Sequence, residues 1–483
     1  MKDFDVIIIG SGIGGLISAG LIASKGLKPL VIEAHRSPGG YISSFRRRDF
    51  IFDSAVDCIS GTGPDGIIGK VLSLLNADSN IDFLKVEPVR RSIFPDFDID
   101  VYGDLNAYIE LLISFFPYEA MGIRDFFKMA GKLYDNVMAN IDIFSGDYAK
   151  TFKIYPDIIE SRNTTYEKIL RRYIADPKLL AVLSDRCPFI GLPPSEVAAL
   201  PMIMLIMSYF RLGAYRPRGG FQKLSDILVE GIRNKCGTVI LGNAVKKIIF
   251  NSSSCQGVIC KNGDEYTARH LISNADLTGT FSNLLGGEYI EAANKMLTDP
   301  GVSTSFFIVY GAVRGEFDGP SSIGCFPSYD FQYFFRHGSE FRDDNTVGVT
   351  IASIEDRGRA PEGCHTIVLH EMVKGGSEIT DREKCADMLV KRVEKIIPDL
   401  KGRIEVVDTA APSTLQQYTG NHLGAAFGWN QLPGNYTFNG HGLENLYIAG
   451  HWSEMGGGVL AAAYSGAKAA SDIFEKEGIT IDA

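Results

Sequence analysis

The run Gly10-Ser11-Gly12-Ile13-Gly14-Gly15 constrains this chain more than any other feature. It follows an apolar stretch at 5–9 that reads as a buried parallel strand, and it opens a helix expected over 15–25 that stops at Gly26. The glycines serve different ends. Gly10 permits the tight turn, Gly12 lets a pyrophosphate approach the backbone, and Gly15 lets the helix lie close on the strand. A second apolar strand at 29–32 ends in Glu33, about 20 residues beyond the first glycine; a carboxylate there accepts the hydroxyls of an adenosine ribose and repels a 2′-phosphate. Strand, glycines, helix, strand and acid in this order predict a Rossmann-like α/β domain with a dinucleotide held at Gly10, Gly12, Gly14, Gly15 and Glu33.

Composition bounds the rest. A chain of 483 residues exceeds what one hydrophobic core usually holds, so two domains are expected. Its net charge of −10 argues against nucleic acid as a partner. Eight scattered cysteines without a CxxC pair predict reduced thiols in a cytoplasmic protein, with neither a disulfide framework nor a metal site. The apolar stretch at 6–9 is too short for a targeting peptide, and the longest uncharged apolar run, 197–210, falls short of the roughly 18 residues of a spanning helix. Any membrane association is therefore expected at the surface, through an exposed apolar helix face; 105–116 and 197–210 are the candidates.

Two further segments identify the dinucleotide. After Glu33 come Ala34, His35 and, at 39–41, Gly39-Gly40-Tyr41, followed by Arg46, Arg47 and Arg48. Toward the C-terminal end a short strand at 445–449 enters Gly450, and His451-Trp452-Ser453-Glu454-Met455 leads to Gly456-Gly457-Gly458 and a helix expected over 459–474. A glycine-rich turn opening a helix offers backbone N–H groups and a positive dipole end, suited to the anionic N1–C2=O2 edge of a reduced flavin.

These residues resemble the FAD-binding amine oxidase and phytoene desaturase superfamily. The C-terminal turn is similar to the one by which its phytoene desaturase and carotenoid isomerase branch, related also to retinol saturase, holds the flavin ring. The segment 213–221 resembles the branch's YPxGG turn, 270–276 its VVSNAD return to the sheet, and 411–429 a stretch found in carotenoid isomerase-like members. The resemblance implies non-covalent FAD in a glutathione reductase-type fold. It places Ala34, Gly39, Gly40, Tyr41, Val245, Asn274, Gly450, His451, Gly457, Gly458 and Val459 at the cofactor. Tyr41 stands where relatives often carry a basic residue; Arg46 to Arg48 are then either a substitute charge for the pyrophosphate or solvated surface arginines.

The flavin-binding domain is expected from 1–75, 213–281 and 413–483, interrupted by a substrate domain at 76–212 and 282–412. The first insert reads as helical at 105–116 and 123–137, the second as strands at 305–313, 347–354 and 366–372 that form a mixed sheet roofing the flavin. Aromatics such as Phe306, Phe334 and Phe335, with Met202, Met204 and Met207, suit domain core and equally an apolar tunnel. Phe334 or Phe335 is a candidate for the end stop of that tunnel.

By resemblance the chain is an FAD-dependent oxidoreductase that exchanges hydride between flavin N5 and the carbon–carbon bonds of a long hydrophobic polyene or unsaturated lipid. Desaturase, saturase and redox-type cis–trans isomerase remain open, as does the electron acceptor. A flavin amine oxidase with an aromatic cage, and a non-catalytic FAD- or prenyl-carrying escort protein of the same fold, are the alternatives. Candidate acid/base groups are Glu454 and His451 in the flavin-contacting turn, with Tyr418 and His422 in the segment expected to face the ring.

Overall fold

The computed structural model describes residues 2–140, 156–251, 253–287, 289–337, 341–342, 344–434 and 442–479. Val6, Ile7 and Ile8 are fully buried, as a near-continuous apolar run requires of a central parallel strand covered on both faces. Their strand, Lys2–Ile9, pairs in parallel with Pro29–Ile32 on one side and with Glu265–Ser273 on the other. Thr238–Ile240 extends the sheet beyond Pro29–Ile32. The long strand Glu265–Ser273 is shared: its first half pairs antiparallel with Cys255–Cys260, and its last residues pair in parallel with Leu446–Ile448. The chain leaves Lys2–Ile9 toward one neighbour and returns much later on the other side, so a ligand crevice opens at the carboxyl end of this strand.

The helix Ile13–Ser24 begins two residues before the position read from the sequence, because Gly12 already serves as its extended N-cap. Residues 13–23 of this helix are all buried. It is wedged between the helices Phe221–Lys235 and Val459–Glu477. Backbone meets backbone there: a Cβ on Gly466 would lie 2.1 Å from the carbonyl oxygen of Gly14. The small residues of the C-terminal helix are what permit this approach.

A second sheet has the order Ile404–Ala410, Ser305–Arg314, Cys364–Val373, Val347–Thr350, Ser322–Cys325, Arg90–Ile93, Asp98–Val101. Its pairs are antiparallel except Ser322–Cys325 with Arg90–Ile93. The first insert is therefore not wholly helical. Arg90–Ile93 and Asp98–Val101 are strands of four residues whose charged positions obscure the period of two, and their anchor, Ser322–Cys325, lies far away in the chain. Apart from the short strand Phe83–Lys85, the regular structure in the other described residues of that insert is helical, with Leu105–Phe115, Ala120–Asn140 and Ala199–Leu212 the longest among them. No helix among the described residues is long and apolar enough to cross a membrane.

Two fully buried arginines tie the connection at 355–359, beside the second sheet, to residues 53–57 and to the strand Tyr215–Pro217. Arg216 donates to the carbonyl of Asp57 at 2.8 Å, to Glu355 at 2.6 Å and to the Asp57 carboxylate. Arg359 binds the Asp53 carboxylate, with Asp356 at 3.2 Å and the carbonyl of Pro217 at 3.2 Å. Each charge is met on several sides, which is the condition under which a buried ion pair is tolerated.

Candidate active site

One continuous cavity of about 800 Å³ runs from the end of the first strand to beneath the second sheet. Every residue assigned to the cofactor from the sequence borders it except Gly15. Gly15 acts behind the wall, where a Cβ would lie 2.2 Å from the carbonyl oxygen of Gly10, so the strand and helix close up only with glycine at this position. At Gly12 a Cβ would stand 2.9 Å from the side-chain nitrogen of Asn274; at Gly14 and Gly450 it would stand 2.6 and 2.7 Å from the side-chain oxygen of the same residue. Asn274, which also lies close to Gly10 and Gly15, is thus the common neighbour of five glycines, and its backbone N–H donates to the carbonyl of Ile9 at 2.9 Å. The Gly39 turn lies against this loop, with the Gly39 N–H donating to the Ser11 carbonyl at 3.0 Å.

The donor set fits a dinucleotide with two anionic positions. Helix Ile13–Ser24 and helix Val459–Glu477 both begin without a side-chain cap and without an acid in the first turn, so their first N–H groups remain available. Gly458, at φ +102°, borders the cavity, and a Cβ there would meet no protein atom within 4 Å. At the end of the second strand Glu33, 8% exposed, also borders the cavity, as do Ala34 and Val245. These features suit the pyrophosphate, the ribose and the flavin edge of FAD.

The arginines expected near the pyrophosphate lie elsewhere. Arg46, Arg47 and Arg48 are exposed and outside the cavity wall; Arg47 pairs with Asp408 at 2.6 Å and Arg48 with Glu405 at 2.7 Å. Tyr41 stays at the cavity, donates its hydroxyl to the carbonyl of Ala425 at 2.8 Å and presents an edge to His451 at 5.8 Å between ring centroids. Burial pushes its phenol up to about 12.

His451 is held by the segment that follows Tyr418. Its Nε2 lies 3.1 Å from Oδ1 of Asn421, and that oxygen also accepts the indole N–H of Trp452 at 2.7 Å. Its Nδ1 lies 3.4 Å from the carbonyl of Ala426. Burial lowers the imidazole to about 4, so it is neutral at physiological pH. Gly428 is pressed against the same turn, where a Cβ would lie 2.2 Å from the His451 carbonyl oxygen. Trp452, 1% exposed, packs edge-on against Trp429 and borders no part of the cavity.

Glu454 borders the cavity and is half-buried. Burial raises its carboxyl above the ordinary value, against the opposing charges of Lys468 and Arg162. Tyr418 also borders the cavity but is 58% exposed and stacks on His35 at 6.1 Å, so water reaches it. His422 is off the wall, and its backbone N–H donates to Asp276 at 2.7 Å.

Beyond the glycine turns the cavity becomes apolar. Phe306, Ile308 and Met372 descend from the second sheet, and Leu200, Met204 and Leu205 face them from the helix Ala199–Leu212. The run at 197–210 is therefore wall and core. Phe334 and Phe335 do not reach the cavity; they belong to the aromatic cluster that contains Phe326 and Phe331. Several polar residues on the wall escaped the sequence reading, among them Asp57, Arg90, Arg162, His370 and Gln431. Local pattern carries no signal for them, because each owes its place to strands, helices or loops brought together across the fold.

The sequence profile of the family described as flavin containing amine oxidoreductase matches residues 13–474. Prolycopene isomerase 2, chloroplastic, of Oncidium hybrid cultivar is 27% identical over 524 residues, covering 100% of this chain and 86% of that protein. The all-trans-retinol 13,14-reductase of Rattus norvegicus is 25% identical over 488 residues, covering 88% and 77%. Among solved structures, an oxidoreductase from Methanosarcina mazei superposes with a TM-score of 0.64 at 18% identity, over 96% of this chain and 99% of that one, a likeness of fold.

Proposed function

The chain belongs to the flavin containing amine oxidoreductase family and is an FAD-dependent oxidoreductase, and from that premise we propose that it acts on carbon–carbon bonds of a conjugated polyene, as a redox-type isomerase or a reductase. The observation that carries this reading is the continuity of the cofactor cradle with a long apolar chamber under the second sheet. Relatives named for prolycopene and for retinol support the same substrate class. An amine oxidase is disfavoured because both tryptophans of the C-terminal region, Trp429 and Trp452, pack into the core and supply no cage. In this reading 1–75, 213–281 and 413–483 form the flavin-binding domain and the two inserts form the substrate domain.

FAD, when bound, supplies hydride exchange with carbon at its N5. The protein's part is to position, to exclude water and to handle a proton. Gly10, Gly12, Gly14, Glu33, Gly39, Gly40, Val245 and Asn274 hold the dinucleotide; Tyr41, Gly450, His451, Gly457, Gly458 and Val459 hold the ring end. His451, neutral and hydrogen-bonded, fixes the turn and adds no charge to it. Glu454 is the wall carboxyl whose ionisation burial opposes, and it exchanges a proton with the carbon next to the hydride site. Phe306, Ile308, Met204 and Leu205 align the chain and keep water out. Phe115, Tyr118 and Met121, exposed where two helices of the first insert meet, supply the contact with the bilayer from which such a substrate is drawn.

The test is direct. Oxidised and reduced holoenzyme are incubated with conjugated polyenes, and products are separated by mass and by isomer. Gain or loss of two hydrogens, or an isomer of unchanged mass formed only with reduced flavin, is the expected result. Bleaching of the flavin by primary amines with no change in any polyene would overturn the reading.

A further inference from the structure

Arg90, on the strand Arg90–Ile93, is 4% exposed and borders the apolar part of the cavity. A guanidinium carries five N–H donors and no acceptor. Among the described residues Arg90 has no hydrogen bond to its side chain and no ion pair, and its Nε is enclosed without a partner. The carboxylates nearest in charge are committed elsewhere. Asp57 is held by Arg216 and by the hydroxyl of Ser322 at 2.5 Å. Asp185 accepts from Ser92 at 2.5 Å and faces Arg186 at 3.6 Å.

The guanidinium is nonetheless carefully seated. Its central carbon lies 4.8 Å from the ring centre of Phe189 and 5.8 Å from that of Phe326. Ring faces attract a cation but accept none of its five in-plane N–H bonds. On the neighbouring strand a Cβ at Gly324 would lie 1.9 Å from the Arg90 terminal nitrogen, so the group fits only because that position is glycine. Burial and the adjacent Arg186 lower its pKa to about 10, which still leaves it charged at neutral pH. A purely hydrocarbon chain in the chamber would leave this cation buried and unanswered, an arrangement that proteins avoid.

We propose that the ligand of the chamber is an unsaturated apolar chain ending in a carboxylate, and that Arg90 receives this carboxylate through its paired N–H groups, setting how far the chain slides past the cofactor. The inference rests on the cavity being the substrate chamber. A carboxylate answers both the charge and the planar donor geometry, whereas an alcohol answers one donor only.

The experiment reads binding without turnover. Oxidised holoenzyme is titrated with all-trans-retinoic acid, its methyl ester and retinol, following the flavin absorbance band and the quenching of protein fluorescence. Wild type is expected to bind the acid about 10- to 100-fold more tightly than the ester, as a charge-assisted hydrogen-bonded pair implies. Arg90→Met should erase that preference while keeping the ester affinity and the flavin spectrum; Arg90→Lys should keep part of it. Equal affinity of wild type for acid and ester would overturn the proposal, as would a preference that survives in Arg90→Met. A changed flavin spectrum in Arg90→Met with the preference intact would also overturn it, by assigning Arg90 to the cofactor. If Arg90→Met does not fold, the wild-type comparison of acid with ester decides. Acid preference without conversion of any polyene would leave this inference standing and remove the redox reading; conversion of a hydrocarbon polyene without acid preference would do the reverse.

Discussion

The carboxylate of Glu33 takes two hydrogen bonds from Ser11: its Oε2 accepts the backbone N–H at 2.8 Å and the hydroxyl at 2.6 Å. Its other oxygen accepts the N–H of His35 at 2.9 Å. The glycine loop and the end of the second strand are thereby locked to one carboxylate, whose remaining lone pairs border the cavity. Glu33→Ala should weaken FAD by about 1.5–3 kcal/mol, the range for hydrogen bonds to a charged group. Fluorescence of flavin released on dilution measures this; unchanged affinity would place the ribose contact on another residue.

Gly12 has an ordinary helical-entry φ of −63°, so a side chain there is excluded by space and not by backbone strain. Its Cβ would already crowd Asn274 at 2.9 Å, and a branched side chain would enter the cradle. Gly12→Val should purify colourless yet folded. Full flavin content, read from the visible spectrum, would contradict the cradle.

Glu454 gives opposite signs for stability and turnover. Its folded-state pKa is raised, so the folded protein holds more protons than the unfolded chain, and stability falls as pH rises from the unfolded value of 4.5 through the folded one. Glu454→Gln should therefore melt higher than wild type at pH 7 and at the same temperature near pH 4. Its turnover should fall by about 10²–10⁴-fold, the usual share of general acid–base catalysis. A stabilised variant with full activity would remove Glu454 from the proton chemistry.

For His451 the sign is reversed. A folded pKa of about 4 against the ordinary 6.5 means the unfolded chain binds the extra proton first. Stability is then fully present above pH 6.5 and is lost as pH falls toward 4, by up to about 3 kcal/mol. Denaturant titrations from pH 7 to pH 4 should show a shallower loss in His451→Gln. An imidazole resonance that titrates near 6.5 in the holoenzyme would refute the assignment.

The exposed Tyr118 and Met121 predict a separable membrane function. The double substitution Tyr118→Ser and Met121→Ser should reduce co-sedimentation with lipid vesicles severalfold, because both side chains are almost wholly exposed and free to insert. Flavin content and melting temperature should not move. Undiminished vesicle binding would assign the contact to another surface.

Legibility from sequence followed the range of the interactions. The first glycine loop, Glu33 and the Gly456–Gly458 turn are local devices, in which spacing alone demands glycine or an acid, and their positions held to within about two residues. Long-range contacts hid the rest. Arg90 and Arg91 sit side by side in one strand, and alternation turns only one inward; Arg91 pairs with Asp100 at 2.7 Å across a local hairpin, whereas the setting of Arg90 depends on the distant strand Ser322–Cys325. Phe334 and Phe326 are equivalent in composition, yet only Phe326 reaches the cavity. Arg46 to Arg48 followed a glycine pair and suggested phosphate, but they lie at the solvent-exposed end and turn of the two-stranded ribbon Ser44–Arg47 with Phe50–Asp53, where Arg47 and Arg48 pair with Asp408 and Glu405.

The contact of Gly14 with Gly466 carries a consequence for biosynthesis. One half of the cofactor cradle, strand Lys2–Ile9 and helix Ile13–Ser24, is made well before the other half, strand Leu446–Ile448 and helix Val459–Glu477. Until then the first helix has its Gly14 face uncovered and the central sheet lacks a parallel member. A ribosome stalled upstream of Gly450 would carry a chain unable to retain FAD, so yellow colour should report synthesis past the second half of the cradle. Flavin supply in the cell would then govern how many finished chains escape proteolysis, with the cofactor acting as the final folding partner.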